Sequence, residues 1–190
     1  MEKGVGVAKK ILRAYCLKKM KEQGSHARRL KSRRIAAKLF RLAGFRRAGI
    51  VCFYAALAGE VDTLFMIDRA IRMGKRVAVP LVDLENKELE LFEIKDRAAD
   101  LKKGAFGIWE PRRRRTMLVR PRSVDLVIVP GVAFDRSRNR LGRGLGFYDR
   151  FLKRLKRSTP AVGLAFSFQV VSKVPVESHD QKLDKILTEI

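Results

Sequence analysis

The chain has 190 residues, 46% of them hydrophobic, with 43 lysines and arginines against 20 acidic residues and a formal net charge of +23. This length suits one domain over residues 1–190 with a sizeable core, and the ordinary apolar content argues against a disordered chain. The charge favours anionic partners in general (nucleotides, polyglutamates, nucleic acid or anionic membranes) and does not choose among them.

The two cysteines, Cys16 and Cys52, have neither CxxC spacing nor a nearby pair of histidines. A disulfide framework or a zinc site is therefore not expected, and both side chains are predicted to be buried as small apolar groups. No apolar run approaches the roughly 20 residues that cross a bilayer. The charged N-terminal stretch does not fit a signal peptide. We therefore expect a soluble cytoplasmic protein without membrane contact.

Two amphipathic helices are predicted at the start of the chain, over residues 7–20 and 27–42, because their apolar residues recur at helical spacing. The short apolar run over residues 50–57 predicts a buried strand. A further helix is predicted over residues 60–74, with Gly74 as its stop signal. A strand after this helix implies a parallel pair of strands.

The rest of the chain reads as strands with one more helix. Residues 124–130 give the most convincing central strand, and a short helix follows near residues 151–155, whereas residues 101–116 are turn-rich without a sustained period. The other strands are predicted over residues 76–82, 88–94, 161–166 and 185–190. This order predicts an α/β protein, a three-layer α/β/α domain with a mostly parallel, Rossmann-like sheet and the two N-terminal helices packed against it.

The segment PGVAFDRSRNRLGRGLGFYDRFL follows the predicted central strand, where ligands of open parallel sheets collect. Gly142, Gly144 and Gly146 leave backbone amides accessible to an anion. Arg140 and Arg143 offer planar donors that suit phosphate oxygens, and a helix that opens near Gly146 adds its positive end. A flexible strand-to-helix turn explains three glycines about as well. The combination with the arginines favours anion binding.

This segment resembles the 5-formyltetrahydrofolate cyclo-ligase family, also called 5,10-methenyltetrahydrofolate synthetases. The resemblance extends to KKILR, GEVDT, GKRVAVP, FGIWEP and AVGLAFSFQVVSKVPVESHDQKLDKILTE, in the family's order and over nearly the whole chain. It implies an ATP-dependent cyclisation of 5-formyltetrahydrofolate, with magnesium carrying the nucleotide. The formyl oxygen is phosphorylated, N10 attacks the formyl carbon, and 5,10-methenyltetrahydrofolate, ADP and phosphate are released.

The resemblance also implies roles for individual residues. Arg140 and Arg143 would be catalytic, because phosphoryl transfer depends on positioning and on charge neutralisation. ATP binding is implied for Lys9, Lys10, Ile11, Leu12, Arg13, Arg140, Leu141, Gly142, Arg143, Gly144, Leu145, Gly146, Phe147 and Tyr148. Folate binding is implied for Ala55, Glu60, Arg143, Gly144, Leu145, Gly146 and Phe147.

Asp149 and Asp180 match the family's magnesium positions, and carboxylates are ligands that magnesium prefers. From the residues alone, the favoured interpretation of Asp149 is a favourable charge at a helix N-terminus, and that of Asp180 is a turn residue. His179 is expected to be an exposed loop residue rather than a ligand.

Blander alternatives exist for other positions. Lys9 and Arg13, one helical turn apart, can grip a polyphosphate or can belong to a solvated basic face. Glu60 can accept from pterin N–H groups or can act as a helix-capping charge. Phe106 and Trp109 either stack on the pterin or pack in the core.

Two further features stay open. The run Arg112–Arg115 either attracts a polyglutamate tail or is a solvated loop. Leu145 and Phe147 differ from the residues more common in the family's motif at these positions, which leaves the side-chain contacts of both positions open.

The main rival function is a basic nucleic-acid-binding protein on an α/β scaffold, which the charge supports. No nucleic-acid-binding signature appears in the sequence, so a specific nucleic-acid partner is not expected. A second rival is a degenerate relative that binds folate without turnover. The expected partners are ATP and 5-formyltetrahydrofolate, in polyglutamylated form or not, and the expected state is a monomer.

Overall fold

A computed structural model describes residues 2–104 and 107–190 of the chain. The helices are α1 (Glu2–Glu22), α2 (Ser25–Arg41), α3 (Ala43–Arg47), α4 (Leu64–Arg72), α5 (Arg97–Asp100) and α6 (Phe147–Arg154). The strands are β1 (Ile50–Cys52), β2 (Arg76–Asp83), β3 (Glu88–Ile94), β4 (Leu101–Lys103), β5 (Trp109–Pro111), β6 (Met117–Val119), β7 (Leu126–Val129), β8 (Ala133–Asp135), β9 (Arg140–Leu141), β10 (Ala161–Leu164), β11 (Val170–Val171) and β12 (Lys185–Leu187). Short 3₁₀ turns lie at Pro121–Ser123 and Ser167–Gln169.

The main sheet has seven strands in the order β12-β10-β7-β1-β2-β3-β6. The neighbours from β12 to β2 pair in parallel, and β3 pairs antiparallel with β2 and with β6. The parallel pair expected around the helix at residues 60–74 is β1 and β2, joined through α4. Gly74, at φ +76°, follows that helix as the predicted stop signal.

Helices cover both faces of this sheet, which confirms the three-layer prediction. Along β7 alternate side chains enter opposite clusters, because successive residues of a strand point to opposite faces. Leu126 and Ile128 pack with α2, α3 and α4, whereas Val127 and Val129 pack with α6. All four side chains are fully buried. Each buried aliphatic side chain contributes about 1.5–3 kcal/mol to folding.

The first helix packs on a second, smaller sheet that the sequence did not predict. This sheet has the order β11-β8-β9. Its strands β8 and β9 precede α6 in the chain, and β11 follows β10. Cys16 and Met20 of α1 are buried against Val132, Ala133 and Leu141. Strands of two or three residues are too short to show a period, which explains why the pattern missed them.

Two predicted boundaries need correction. The strand expected over residues 50–57 ends at Cys52, because the chain then turns into a loop that carries a buried carboxylate (below). The stretch over residues 101–116, predicted as turns, contains the antiparallel pair β4–β5.

The prediction that both cysteines are buried is confirmed. Cys16 and Cys52 are buried free thiols, and burial raises the pKa of both. Among the described residues, no helix is both long enough and apolar enough to span a membrane.

Candidate functional site

A loop over residues 142–146, here called the glycine loop, connects β9 to α6. Gly144 and Gly146 have φ values of +108° and +66°, in the region that side chains of L-residues rarely adopt. Gly146 caps α6, which begins at Phe147 as the sequence predicted. The first amides of α6 have no partner within the helix, so the loop presents N–H donors at the positive end of a helix.

Arginines tie this loop to the carboxyl ends of two central strands. Arg140 Nη1 donates to the carbonyl of Pro130, which follows β7, at 3.5 Å. Arg143 donates to the carboxylate of Glu60, in the loop after β1. The glycine loop therefore lies at the C-terminal edge of the parallel strands, where open α/β sheets bind their ligands.

The basic face of α1 lies against the same loop. Arg13 Nε donates to the carbonyl of Gly142 at 3.0 Å, and a side chain at Gly144 would meet the Arg13 guanidinium at 3.6 Å. Lys9, one turn earlier, is largely buried. Lys9 and Arg13 are therefore not part of a solvated basic face. Lys10 and Ile11 lie on the exposed side of the helix, and Leu12 packs on the small sheet.

Lys9 joins α1 to the acidic segment near the end of the chain. Its Nζ lies 2.6 Å from Glu177 Oε2 and 2.6 Å from Asp180 Oδ2. Burial lowers the pKa of Lys9, but the hydrogen bonds to Asp180 and Glu177 more than offset this, so the pKa is raised. Burial likewise raises the pKa of Asp180, and the hydrogen bond from Lys9 outweighs it, so that pKa is lowered. Both groups are therefore held in their charged forms.

Asp180 belongs to a group of potential metal ligands with Glu177 and His179, whose ligand atoms all lie within 4.8 Å of one another. His179 is exposed, as expected, but its Nε2 lies 3.7 Å from both carboxylates. The other predicted metal ligand, Asp149, is not in this group. Its Oδ1 accepts a hydrogen bond from the backbone N–H of Gln181 at 3.1 Å, so it lies beside the residue that follows Asp180.

Arg140 is part of a buried ion pair. Its guanidinium, 3% exposed, donates to Asp149 Oδ1 at 2.8 Å and lies 5.8 Å from the centre of the Tyr148 ring. The Nε atom of Arg140 is buried and has no hydrogen-bond partner among the residues that the structure describes. This arginine therefore holds the first turn of α6 against the end of β7.

Arg143 occupies a different environment three residues later. Its side chain is 43% exposed and donates twice to Glu60 Oε1, at 3.2 and 2.9 Å. Glu60 is 8% exposed, and its other oxygen accepts from the N–H of Leu57 at 3.0 Å. Ala55, half-buried, lies in the same loop after β1. The structure thus joins one of the two predicted folate positions, Glu60, to the glycine loop.

The aromatic residues around the site differ in burial. Burial raises the pKa of the Tyr148 and Tyr54 hydroxyls well above 10, so both are neutral donors near Glu60. Phe147 packs on the α6 face of the sheet, with the Arg150 guanidinium 5.3 Å from its ring centre. Leu145 is 67% exposed.

In the FGIWEP stretch, the structure describes one of the two aromatic residues that were expected either to stack on the pterin or to pack in the core. Trp109 packs against the core, with Lys103 Nζ 5.9 Å from its ring centre, whereas Phe106 lies outside the described residues. In the turn that follows, Arg113 pairs with Glu90 and Arg112 donates to the carbonyl of Leu101, so these two arginines are not simply solvated.

Sequence reasoning missed Glu177. The carboxylate stands three residues before Asp180 in VESHD, a spacing that on its own is common in loops. Its place in the site depends on Lys9, which is 168 residues away in the chain.

Comparison with known proteins fits this geometry. The model of the 5-formyltetrahydrofolate cyclo-ligase family matches residues 5–189. The 5-formyltetrahydrofolate cyclo-ligase of Haemophilus influenzae is 35% identical over 143 residues, covering 75% of this chain and 76% of the relative. That of Mus musculus is 27% identical over 193 residues, covering 97% and 95%.

A solved structure gives the same result. The NMR structure of Aquifex aeolicus 5,10-methenyltetrahydrofolate synthetase is 36% identical, with a TM-score of 0.83 over 95% of this chain and 89% of that one. The resemblance inferred from the sequence is confirmed: the chain belongs to the 5-formyltetrahydrofolate cyclo-ligase family of enzymes.

Proposed function

We propose that the chain catalyses the ATP- and magnesium-dependent cyclisation of 5-formyltetrahydrofolate to 5,10-methenyltetrahydrofolate, with release of ADP and phosphate. The observation that carries this proposal is the contact between Arg13 and the carbonyl of Gly142. It brings the basic face of α1 onto a glycine loop that opens a helix, which is a suitable environment for a triphosphate. Relatives that match nearly the full length of the chain are named for this reaction.

The nucleotide phosphates lie, in this proposal, between α1 and the glycine loop. Lys9 and Arg13 supply cations from one helix face, and the amides at the start of α6 supply N–H donors. Arg143, half-exposed at the same place, can turn its planar guanidinium to phosphate oxygens.

The folate lies beside Ala55 and Glu60. A buried carboxylate suits the amino and ring N–H donors of the pterin. Glu60 Oε1 already accepts two hydrogen bonds from Arg143, so pterin donors compete with this arginine. Folate binding then frees Arg143 for the phosphoryl group, which couples the two substrates through one ion pair.

The reaction needs positioning and charge neutralisation more than a strong base. The formyl oxygen takes the terminal phosphoryl group from ATP, and ADP leaves. N10 then attacks the formyl carbon, the carbon–oxygen bond breaks, phosphate departs with that oxygen, and the N10 proton passes to solvent. Arg143 offsets the charge on the phosphoryl group. We assign Arg140 to positioning, because its guanidinium is buried against Asp149 and Pro130.

The carboxylates of Asp180 and Glu177, with Asp149 nearby, fit magnesium, which prefers oxygen ligands and keeps several waters. Their donor set already holds a cation, since Lys9 Nζ lies 2.6 Å from both Asp180 and Glu177. When bound, magnesium offsets the charge of the nucleotide phosphates.

An absorbance assay for methenyl-folate formation tests the proposal. Product should form from 5-formyltetrahydrofolate only with both ATP and magnesium, with one ADP for each product. Asp180→Asn should raise the magnesium concentration needed. Asp184→Asn makes the same exchange at an exposed position and should leave the magnesium requirement unchanged. Turnover without ATP would refute the mechanism, and an unchanged magnesium requirement in Asp180→Asn would remove Asp180 from the metal site.

A further inference from the structure

The edge of the main sheet opposite the glycine loop is built from the segments that enter the parallel strands. β1, β2, β7, β10 and β12 all begin there, and we call it the N-terminal edge. Its segments touch one another: Arg76 N donates to the carbonyl of Gly49, Asp125 N to that of Ile50 and Asp184 N to that of Ala161, at 3.0, 2.9 and 2.9 Å. The edge is therefore one continuous surface.

Cations cluster on this edge, because nearly every entering segment contributes at least one. They lie before β1, at the end of α4 before β2, before β7, before β10 and at the start of β12. The exposed members are Arg46, Arg47, Arg72, Arg122, Arg157 and Lys185.

Carboxylates on the same edge do little to offset this charge. Asp125 Oδ2 accepts hydrogen bonds from the N–H groups of Gly49 and Ile50, at 2.9 and 2.8 Å. Asp184 Oδ2 accepts from the N–H of Ala161 at 2.7 Å. These two acids stabilise the backbone. Glu93 does pair with a cation of the edge, Arg76, at 2.7 Å, but Arg76 is not one of the six exposed cations named above, so the edge keeps an outward positive field.

The spacing of the cations indicates a polymeric anion. Five neighbouring strands about 4.8 Å apart spread the cations over about 19 Å rather than around one point. A nucleic-acid duplex presents one phosphate per about 1.7 Å of its axis, so such a stretch carries about 11 phosphates. A shallow cavity of about 390 Å³, lined by Arg120, Pro121, Arg122 and Arg154, continues the surface beside β7.

The side chains between the cations favour a duplex over other polyanions. Binding to a membrane surface requires exposed apolar side chains that can be buried in the lipid. In the described segments that enter the strands, the large exposed apolar side chain is Met73, at 45% exposed, which is too little for such binding. Single-stranded nucleic acids bind largely by stacking their bases on exposed aromatic rings. Among the described residues the large exposed aromatic side chain is Tyr15, which lies on α1 and not on the N-terminal edge. A duplex that is bound through its phosphates alone requires neither exposed apolar side chains nor exposed aromatic rings.

We propose that the N-terminal edge of the sheet binds the phosphate backbone of double-stranded nucleic acid without reading its sequence. This site is separate from the glycine loop and does not depend on the cyclo-ligase reaction. Binding through Lys and Arg releases counterions, so its affinity falls steeply with salt.

Fluorescence anisotropy with a labelled 20-base-pair DNA duplex, measured over a salt series, tests the proposal. An edge variant carries Arg46→Ala, Arg47→Ala, Arg122→Ala and Arg157→Ala. A matched variant loses the same charge from α1 and α2 through Lys21→Ala, Arg29→Ala, Arg33→Ala and Arg34→Ala, all at exposed positions.

The edge variant should reduce the slope of log affinity against log salt by about 4, a difference of roughly 250-fold between about 50 and 200 mM. The matched variant should keep the slope of the unaltered protein, and saturating ATP with magnesium should not displace the duplex. Unchanged thermal unfolding of both variants shows that folding is intact. Equal losses in both variants, displacement by ATP, or tighter binding to phosphatidylserine vesicles or to single strands than to the duplex would each overturn the proposal.

Discussion

Both edges of the seven-stranded sheet are rich in cations, but the carboxylates at the two edges bind different groups. At the C-terminal edge, Arg140 and Arg143 donate to the side-chain carboxylates of Asp149 and Glu60. At the N-terminal edge, Arg76 pairs with Glu93, but the carboxylates of Asp125 and Asp184 accept from backbone amides. A net charge of +23 therefore says little about function until one knows how each acid is used.

This difference has a physical consequence. A cation paired with a partly buried carboxylate has a fixed position, which suits the ordered charge neutralisation of a reaction. An exposed cation without such a partner stays mobile and hydrated, which suits a ligand with many equivalent charges. Substitutions at the two edges should therefore affect different properties.

The largest expected effect is on folding, at Arg140. Arg140→Ala leaves Asp149 without the cation that is buried against it, and breaking a buried pair in this way costs about 3–5 kcal/mol. Urea unfolding should show the loss as a lower midpoint. Arg138→Ala, an exposed arginine two residues away, is the control and should change stability far less. Equal, small losses in both variants would show that the Arg140–Asp149 pair does not hold α6 in place.

Arg143 should affect turnover more than folding. Arg143→Ala leaves the buried Glu60 carboxylate without its cation, so it should lower the free energy of unfolding, but by less than Arg140→Ala because the lost guanidinium is half-exposed. Turnover should fall about 100-fold, the scale for losing one preorganised charge-stabilising donor. Arg136→Ala, exposed on the turn before β9, should keep full turnover. If Arg143→Ala loses stability in proportion to activity, its role is structural and the difference between the two arginines disappears.

The contrast between these arginines was not predictable from the sequence. Arg140 and Arg143 stand three residues apart among glycines, and both read as phosphate ligands. Arg143 pairs with Glu60, 83 residues away, whereas Arg140 pairs with Asp149, 9 residues away, and the sequence does not show which of the two arginines is buried. By contrast, β7 was predictable, because four successive buried apolar residues mark a central strand whatever lies around them.

Local sequence patterns predicted where helices and strands begin and end better than they predicted which strands and side chains pair. The start of α6 after Gly146 follows from glycine chemistry and was predicted correctly. The small sheet was not, since β9 and β11 have two residues each and no detectable period. Glu177 was missed because its role depends on a contact with Lys9, 168 residues away in the chain.

A smaller effect is expected at Asp135, which belongs to the glycine-loop side of the molecule. This buried carboxylate accepts from Val174 N at 3.0 Å and from Asn139 N and Nδ2 at 3.0 and 2.9 Å. Burial raises its pKa, but these hydrogen bonds outweigh burial, so the pKa lies below the ordinary value of 3.8. The stabilisation is therefore present above that value and is lost as the pH falls through the folded pKa.

Asp135→Asn cannot accept from all of these donors and should cost about 1–3 kcal/mol at neutral pH. Urea unfolding at several pH values should also show a flatter decline towards acid in the variant. Asp125→Asn removes similar hydrogen bonds at the exposed N-terminal edge and should cost less. Acid curves that stay parallel for Asp135→Asn and the unaltered protein would exclude Asp135 as a source of the acid sensitivity.

The smallest effect is expected at the N-terminal edge itself, from Arg47→Ala. An exposed surface arginine contributes within about 0.5 kcal/mol to stability, so unfolding and turnover should both stay unchanged. The salt slope of duplex binding should fall by about 1, since one phosphate contact is lost. Arg33→Ala on α2 removes the same charge away from the edge and should leave the slope unchanged. A fall in turnover for Arg47→Ala would show that the two edges are coupled, because Arg47 ends α3, before β1, at the opposite end of the sheet from the glycine loop.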